Sequence, residues 1–161
     1  MSAELSPRPL GSESFARYGT VVEQPDRAHD AEGPGWRWWA ETASLAATGD
    51  AYGIGFLDLE PAPLRFDWAE RHDRSPEMIV TLAGECLVYV APAEPEEDAP
   101  GEFEVFRLRQ GQGVILAPGV WHGAPLAASG PAAAMVLLRE RTGVEDTTMV
   151  RFETVPVAGN A

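Results

Sequence analysis

A chain of 161 residues has the size of one domain with a sizeable core, and residues 1–161 are expected to fold as a single unit. A formal charge of −13 excludes nucleic acid and anionic membrane surfaces as partners, and no 18-residue apolar run or basic-then-apolar start indicates a membrane span or secretion. All 12 basic side chains are arginine, which removes Schiff-base chemistry, and the single cysteine, Cys86, excludes an internal disulfide and fits a reducing cytoplasm.

With 14 prolines and 16 glycines, the chain reads as many short strands joined by turns. Ser12 is placed to cap one short helix, Glu13 to Tyr18, that Gly19 ends, with Phe15 and Tyr18 facing the core. Thr20 to Glu23 reads as a strand, and Pro25 to Gly35, which holds His29, as a polar loop. Trp36, Trp38 and Trp39 form an aromatic knot suited to a pocket wall or a dimer contact. Strands are expected over Ala51 to Leu59 and Leu64 to His72. Met78 to Leu82 and Glu85 to Val90 read as a hairpin about Ala83-Gly84, with Cys86 a small core residue. The acidic run with Glu94, Glu96, Glu97 and Asp98 reads as a solvated loop. Phe103 to Leu108, Gly113 to Ala117, Ala133 to Arg139 and Thr148 to Val155 complete about ten strands, a β-sandwich or barrel with one short N-terminal helix.

Within this frame one stretch carries chemistry. Glu70 and His72 are two apart, so on a strand both side chains leave one face. Alone they fit a surface salt-bridge pair amid Arg71, Asp73 and Arg74. Taken with Glu77, the Gly84 turn and His122 after Pro118-Gly119, they fit a shared pocket. Two imidazoles and two carboxylates there suit a divalent cation of hard or borderline character: Ni, Mn, Fe or Zn. His29, in a polar loop, reads as solvated. Trp121 packs either under the site or in the core.

The spacing E-x-H-x4-E-x6-G from Glu70 to Gly84 resembles the first cupin motif, with Glu70 where a histidine is usual. Gly111 to His122 resembles the second, with Ala117 for its first proline and Leu126 for its final asparagine. Within the cupins the chain is most similar to ureidoglycolate lyases. Three stretches carry the likeness: Arg8-Pro9-Leu10 through Glu23, Glu70-Arg71-His72, and Gly113-Val114 followed by Val120-Trp121-His122. That resemblance implies an all-β, cupin-type double-stranded β-helix, a jelly-roll barrel, and a homodimer. It also implies a lyase that cleaves ureidoglycolate, or a related α-hydroxy or α-amido acid, to glyoxylate and urea. Glu70, His72, Glu77 and His122 would hold the cation, with Glu77, His72 and His122 serving catalysis and a small carboxylic acid as substrate. A non-catalytic small-ligand cupin and a metal-dependent cupin oxygenase remain alternatives. The lyases usually carry histidine or lysine at Ala117 and glutamine at Glu77, and both positions are expected at the pocket. Arg65, Arg107 and Arg109 are unranked candidates for the substrate carboxylate, whereas Arg71 alternates away from the site.

Overall fold

The computed structural model describes residues 3–46, 48–92 and 99–159, with only the backbone of Trp36. The acidic run Glu94, Glu96, Glu97 and Asp98 lies outside the described residues. In chain order the elements are β1 (Arg8–Pro9), α1 (Ser12–Phe15), β2 (Gly19–Val22), β3 (Ala31–Gly33), β4 (Trp36–Trp38), β5 (Tyr52–Leu59), β6 (Arg65–Arg71) and β7 (Glu77–Ala83). There follow β8 (Glu85–Ala91), β9 (Glu104–Arg109), β10 (Gly113–Leu116), β11 (Trp121–His122), β12 (Leu126–Ala127), β13 (Ala132–Arg139), α2 (Thr142–Glu145) and β14 (Thr148–Pro156).

Two sheets face one another. One runs β1-β9-β8-β11-β6-β14, with β12 also on β8, and the other β2-β10-β7-β13-β5. This is the jelly-roll architecture of the cupins. Alternation along β8 explains how the layers pack. Cys86, Val88 and Val90 join Ile79, Val114, Leu116 and Phe106 in the inter-sheet core. Leu87, Tyr89 and Ala91 enter a second apolar layer with Phe66 and Trp121, covered in part by Phe152 and Val155. Tyr89 stacks on Phe66 with ring centroids 3.9 Å apart. Burial on both faces is why β8 is apolar almost throughout rather than strictly alternating.

Three local expectations change. The helix begins at Ser12 and is capped by Gly11 in extended conformation, without a side-chain cap; Phe15 and Tyr18 are nonetheless buried against Phe106. The loop before the tryptophans contains β3, which pairs with β4 about a turn at Gly35, where φ is +82°. Trp38 is exposed, and the Trp39 indole donates to the Arg27 carbonyl. A second short helix, α2, follows β13.

The largest change concerns Gly84. The segments flanking it are not a hairpin: β7 pairs with β10 and β13 in one sheet, while β8 pairs with β9, β11 and β12 in the other. Gly84, at φ +68°, turns the chain from sheet to sheet. A Cβ there would lie 2.6 Å from the Pro131 carbonyl oxygen, so the crossing requires glycine on two counts.

Candidate metal and active site

The register of three strands assembles the site. In the antiparallel pair β6–β11, His122 stands directly opposite Glu70, so the two side chains leave the same face. His122 is also opposite Val90, whose side chain is in the inter-sheet core, which fixes that face as the inner one. Glu77 comes from the facing sheet: it is opposite Leu116, another inter-sheet core residue. His72 follows β6, one strand repeat beyond Glu70. The four side chains line one cavity of about 270 Å³ with Thr147, Leu57, Val136 and Leu138.

Both imidazoles are oriented from behind. His72 Nδ1 donates to the Asp146 carbonyl at 3.0 Å, and His122 Nδ1 donates to the Val120 carbonyl at 2.9 Å. A carbonyl only accepts, so each Nδ1 carries its proton and each Nε2 is turned into the cavity. Such backing is what holds metal-binding histidines in place. The Thr147 hydroxyl, which donates to the Thr142 carbonyl, lies 3.3 Å from His72 Nδ1 as a second acceptor. The Asp146 carboxylate accepts the backbone N–H groups of Asp73 and Arg74, fastening the loop after His72 to the start of β14. On the other side, the Gly119 N–H donates to the His72 carbonyl, linking the two motifs directly.

Glu77 Oε2 lies 3.1 Å from His72 Nε2 and 3.4 Å from His122 Nε2, with all three residues buried. Burial pushes the Glu77 carboxyl up, but His122 and His72 more than offset this and hold it at about 2. Burial opposes charge on His72, yet the hydrogen bond and charge of Glu77, with the Asp146 carbonyl and Glu70, raise its pKa. His122 is raised in the same way: burial and the neighbouring His72 work against Glu77 and the Val120 carbonyl, and lose. Without metal, the three groups form a compact ionic cluster.

The donor set fits a divalent cation. Glu70, His72 and His122 each offer a donor atom, all within 4.8 Å of one another.

Other expected positions fall elsewhere. Ala117 is exposed beyond β10, its N–H bonded to the Tyr18 carbonyl, and is not part of the cavity lining. That departure from the lyase pattern therefore falls outside the cavity, because Leu116 faces the core and the next residue, Ala117, faces away from it. None of Arg65, Arg107 and Arg109 lines the cavity; Arg107 pairs with Glu85, and Arg109 contacts Gln112. Arg71 lies over the Trp121 ring at 4.9 Å, on the face away from the site. His29 pairs with Glu32 and stands edge-on to Trp39. Sequence reading misses Thr147 and the backing carbonyls of Asp146 and Val120.

A model of the family described as ureidoglycolate lyase matches residues 2–158. Ureidoglycolate lyase 2 of Rhizobium meliloti (strain 1021) is 34% identical over 134 residues, 72% of this chain and 74% of that protein. The ureidoglycolate lyase of Rhizobium leguminosarum bv. trifolii (strain WSM2304) is 30% identical over 131 residues, 78% of each. Among solved structures, a dTDP sugar isomerase from Desulfovibrio desulfuricans G20 superposes with a TM-score of 0.55 over 84% of this chain and 85% of that one; at 17% identity it shares the fold alone. No described helix is long and apolar enough to cross a membrane. With a match along nearly its whole length and relatives at 34% and 30% identity, the chain belongs to the ureidoglycolate lyase family.

Proposed function

We propose that the protein cleaves ureidoglycolate to glyoxylate and urea with the help of a divalent cation held by Glu70, His72 and His122, with Glu77 as the proton carrier beside it. The observation that carries this reading is the meeting of the buried Glu77 Oε2 with two buried imidazole Nε2 atoms in one small cavity, in a member of this family. The reaction is collapse of a carbinolamide: the hydroxyl loses its proton, the carbonyl forms, the C–N bond breaks, and the departing nitrogen takes a proton. Glu70, His72 and His122 would hold a Ni, Mn, Zn or Fe ion, which would supply positive charge to lower the hydroxyl pKa and offset the substrate carboxylate, for which the cavity offers no arginine among the described residues. His72 and His122 are held in orientation by their backing carbonyls, with each Nε2 directed toward the cavity. Glu77, ionised and next to both rings, accepts the hydroxyl proton and returns it to the leaving nitrogen, so the step consumes no external acid or base.

The active species in this reading is a cytoplasmic homodimer, a setting that suits the free, buried thiol of Cys86. Two copies meet on the outer face of the five-stranded sheet. There Phe56 and Ile54 are 72% and 63% exposed and stand opposite Met135 and Leu137. Urea and glyoxylate release by the parent and by His122→Ala, with and without each added metal, tests the chemistry. The parent is expected to produce both products in equal amounts. The variant should lose most of that activity while still melting cooperatively. No urea from the parent under any metal overturns the lyase reading in favour of a binding module.

A further inference from the structure

The cavity has two unlike halves. One presents Glu70, His72, Glu77 and His122; the other is a wall of Leu57, Pro125, Val136 and Leu138. Gly55 belongs to the second half. It stands directly opposite Val136, so its missing side chain would point inward. A Cβ built there meets nothing within 4 Å, and the backbone is not left-handed. Neither crowding nor conformation requires glycine at this position; what its absent side chain leaves is room against the apolar wall. Ureidoglycolate carries hydrogen-bonding groups on every part, and an apolar wall strips water from its urea end without replacing those bonds. At about 270 Å³ the cavity also approaches the ~300 Å³ at which sites enclose drug-sized ligands.

From these features we infer a further activity that rests on the lyase reading: cleavage of N-acyl-α-hydroxyglycines whose acyl group is apolar. The cleaved unit is the same carbinolamide. The hydroxyl proton leaves oxygen, the carbonyl of glyoxylate forms, and the C–N bond breaks with its electron pair going to nitrogen. That nitrogen takes one proton. R–CO–NH–CH(OH)–COO⁻ thus becomes R–CO–NH₂ and glyoxylate, with no oxidant, reductant or water consumed. The acyl chain lies along Leu57, Val136 and Leu138 in the space beside Gly55.

The test compares ureidoglycolate with N-acetyl-, N-butanoyl- and N-benzoyl-α-hydroxyglycine on the metal-loaded protein, reading glyoxylate release. Each added buried methylene is worth about fourfold, so kcat/KM should rise about 15-fold from acetyl to butanoyl. Gly55→Leu should lower the ratio of N-benzoyl to ureidoglycolate kcat/KM at least tenfold, and Gly55→Ala less, with metal content unchanged. A flat acyl series, or equal losses on all substrates, overturns the inference. Calorimetry with N-butanoylglycine and N-carbamoylglycine, which lack the hydroxyl and are not cleaved, reads the acyl preference apart from catalysis. Tighter binding of the carbamoyl compound overturns the inference even if ureidoglycolate is turned over. Glyoxylate from none of the four substrates overturns the lyase reading and this activity together, while a butanoyl preference would still support the apolar half as a binding surface.

Discussion

Replacing Glu77 by glutamine keeps the shape of the buried triad and removes its negative charge. The loss does not strand two cations, because each imidazole sheds its proton once its partner is gone. Linkage, rather than the cost of an isolated buried charge, therefore sets the size of the effect. In the metal-free protein the Glu77 carboxyl is lowered from 4.5 to about 2, and at 1.36 kcal/mol per unit this corresponds to about 3 kcal/mol of stability. The sign differs for the two kinds of group. The lowered Glu77 stabilises above its unfolded pKa, and that contribution is lost as pH falls toward 2. The raised His72 and His122 stabilise below their ordinary value of about 6.5, and that contribution is lost as pH rises through their folded values. The parent should therefore exceed Glu77→Gln by about 3 kcal/mol near pH 5.5 and by much less at pH 9. Urea denaturation of the chelator-treated proteins at both pH values measures this. A difference under 1 kcal/mol at pH 5.5, or one that grows toward pH 9, would refute the picture of a charged triad.

Three further outcomes are expected. Gly84→Ala combines a left-handed backbone with a 2.6 Å contact to the Pro131 carbonyl and should cost about 2 kcal/mol or more in chemical denaturation; a loss under 0.5 kcal/mol would contradict the sheet crossing. Thr147→Val removes the hydroxyl beside His72 Nδ1 and should weaken metal binding about tenfold by competition with a chelator, with little change in melting. Light scattering should give the dimer mass at micromolar concentration and the monomer mass for Ile54→Asp. A monomeric parent would remove the outer sheet face as an interface.

Local sequence determined much of this protein. Alternation located the longer strands to within a residue or two, because it reports the pleat directly, and the two-residue step from Glu70 to His72 put both on one face. The two motifs also carried the family, since their spacing follows from strand and turn lengths that the fold cannot easily vary. Tertiary structure decided the partners. An apolar run before and after Gly84 is consistent with a hairpin or with a crossing between sheets, and only the distant strands β10, β13, β9 and β11 select the crossing. That selection brings Glu77 to the histidines from the opposite sheet, while Ala117, next to the core residue Leu116, faces away from the site. The carbonyls of Asp146 and Val120 that fix the imidazole tautomers belong to backbone every residue has. Their role arises from where the chain returns in space, which no local pattern of side chains encodes.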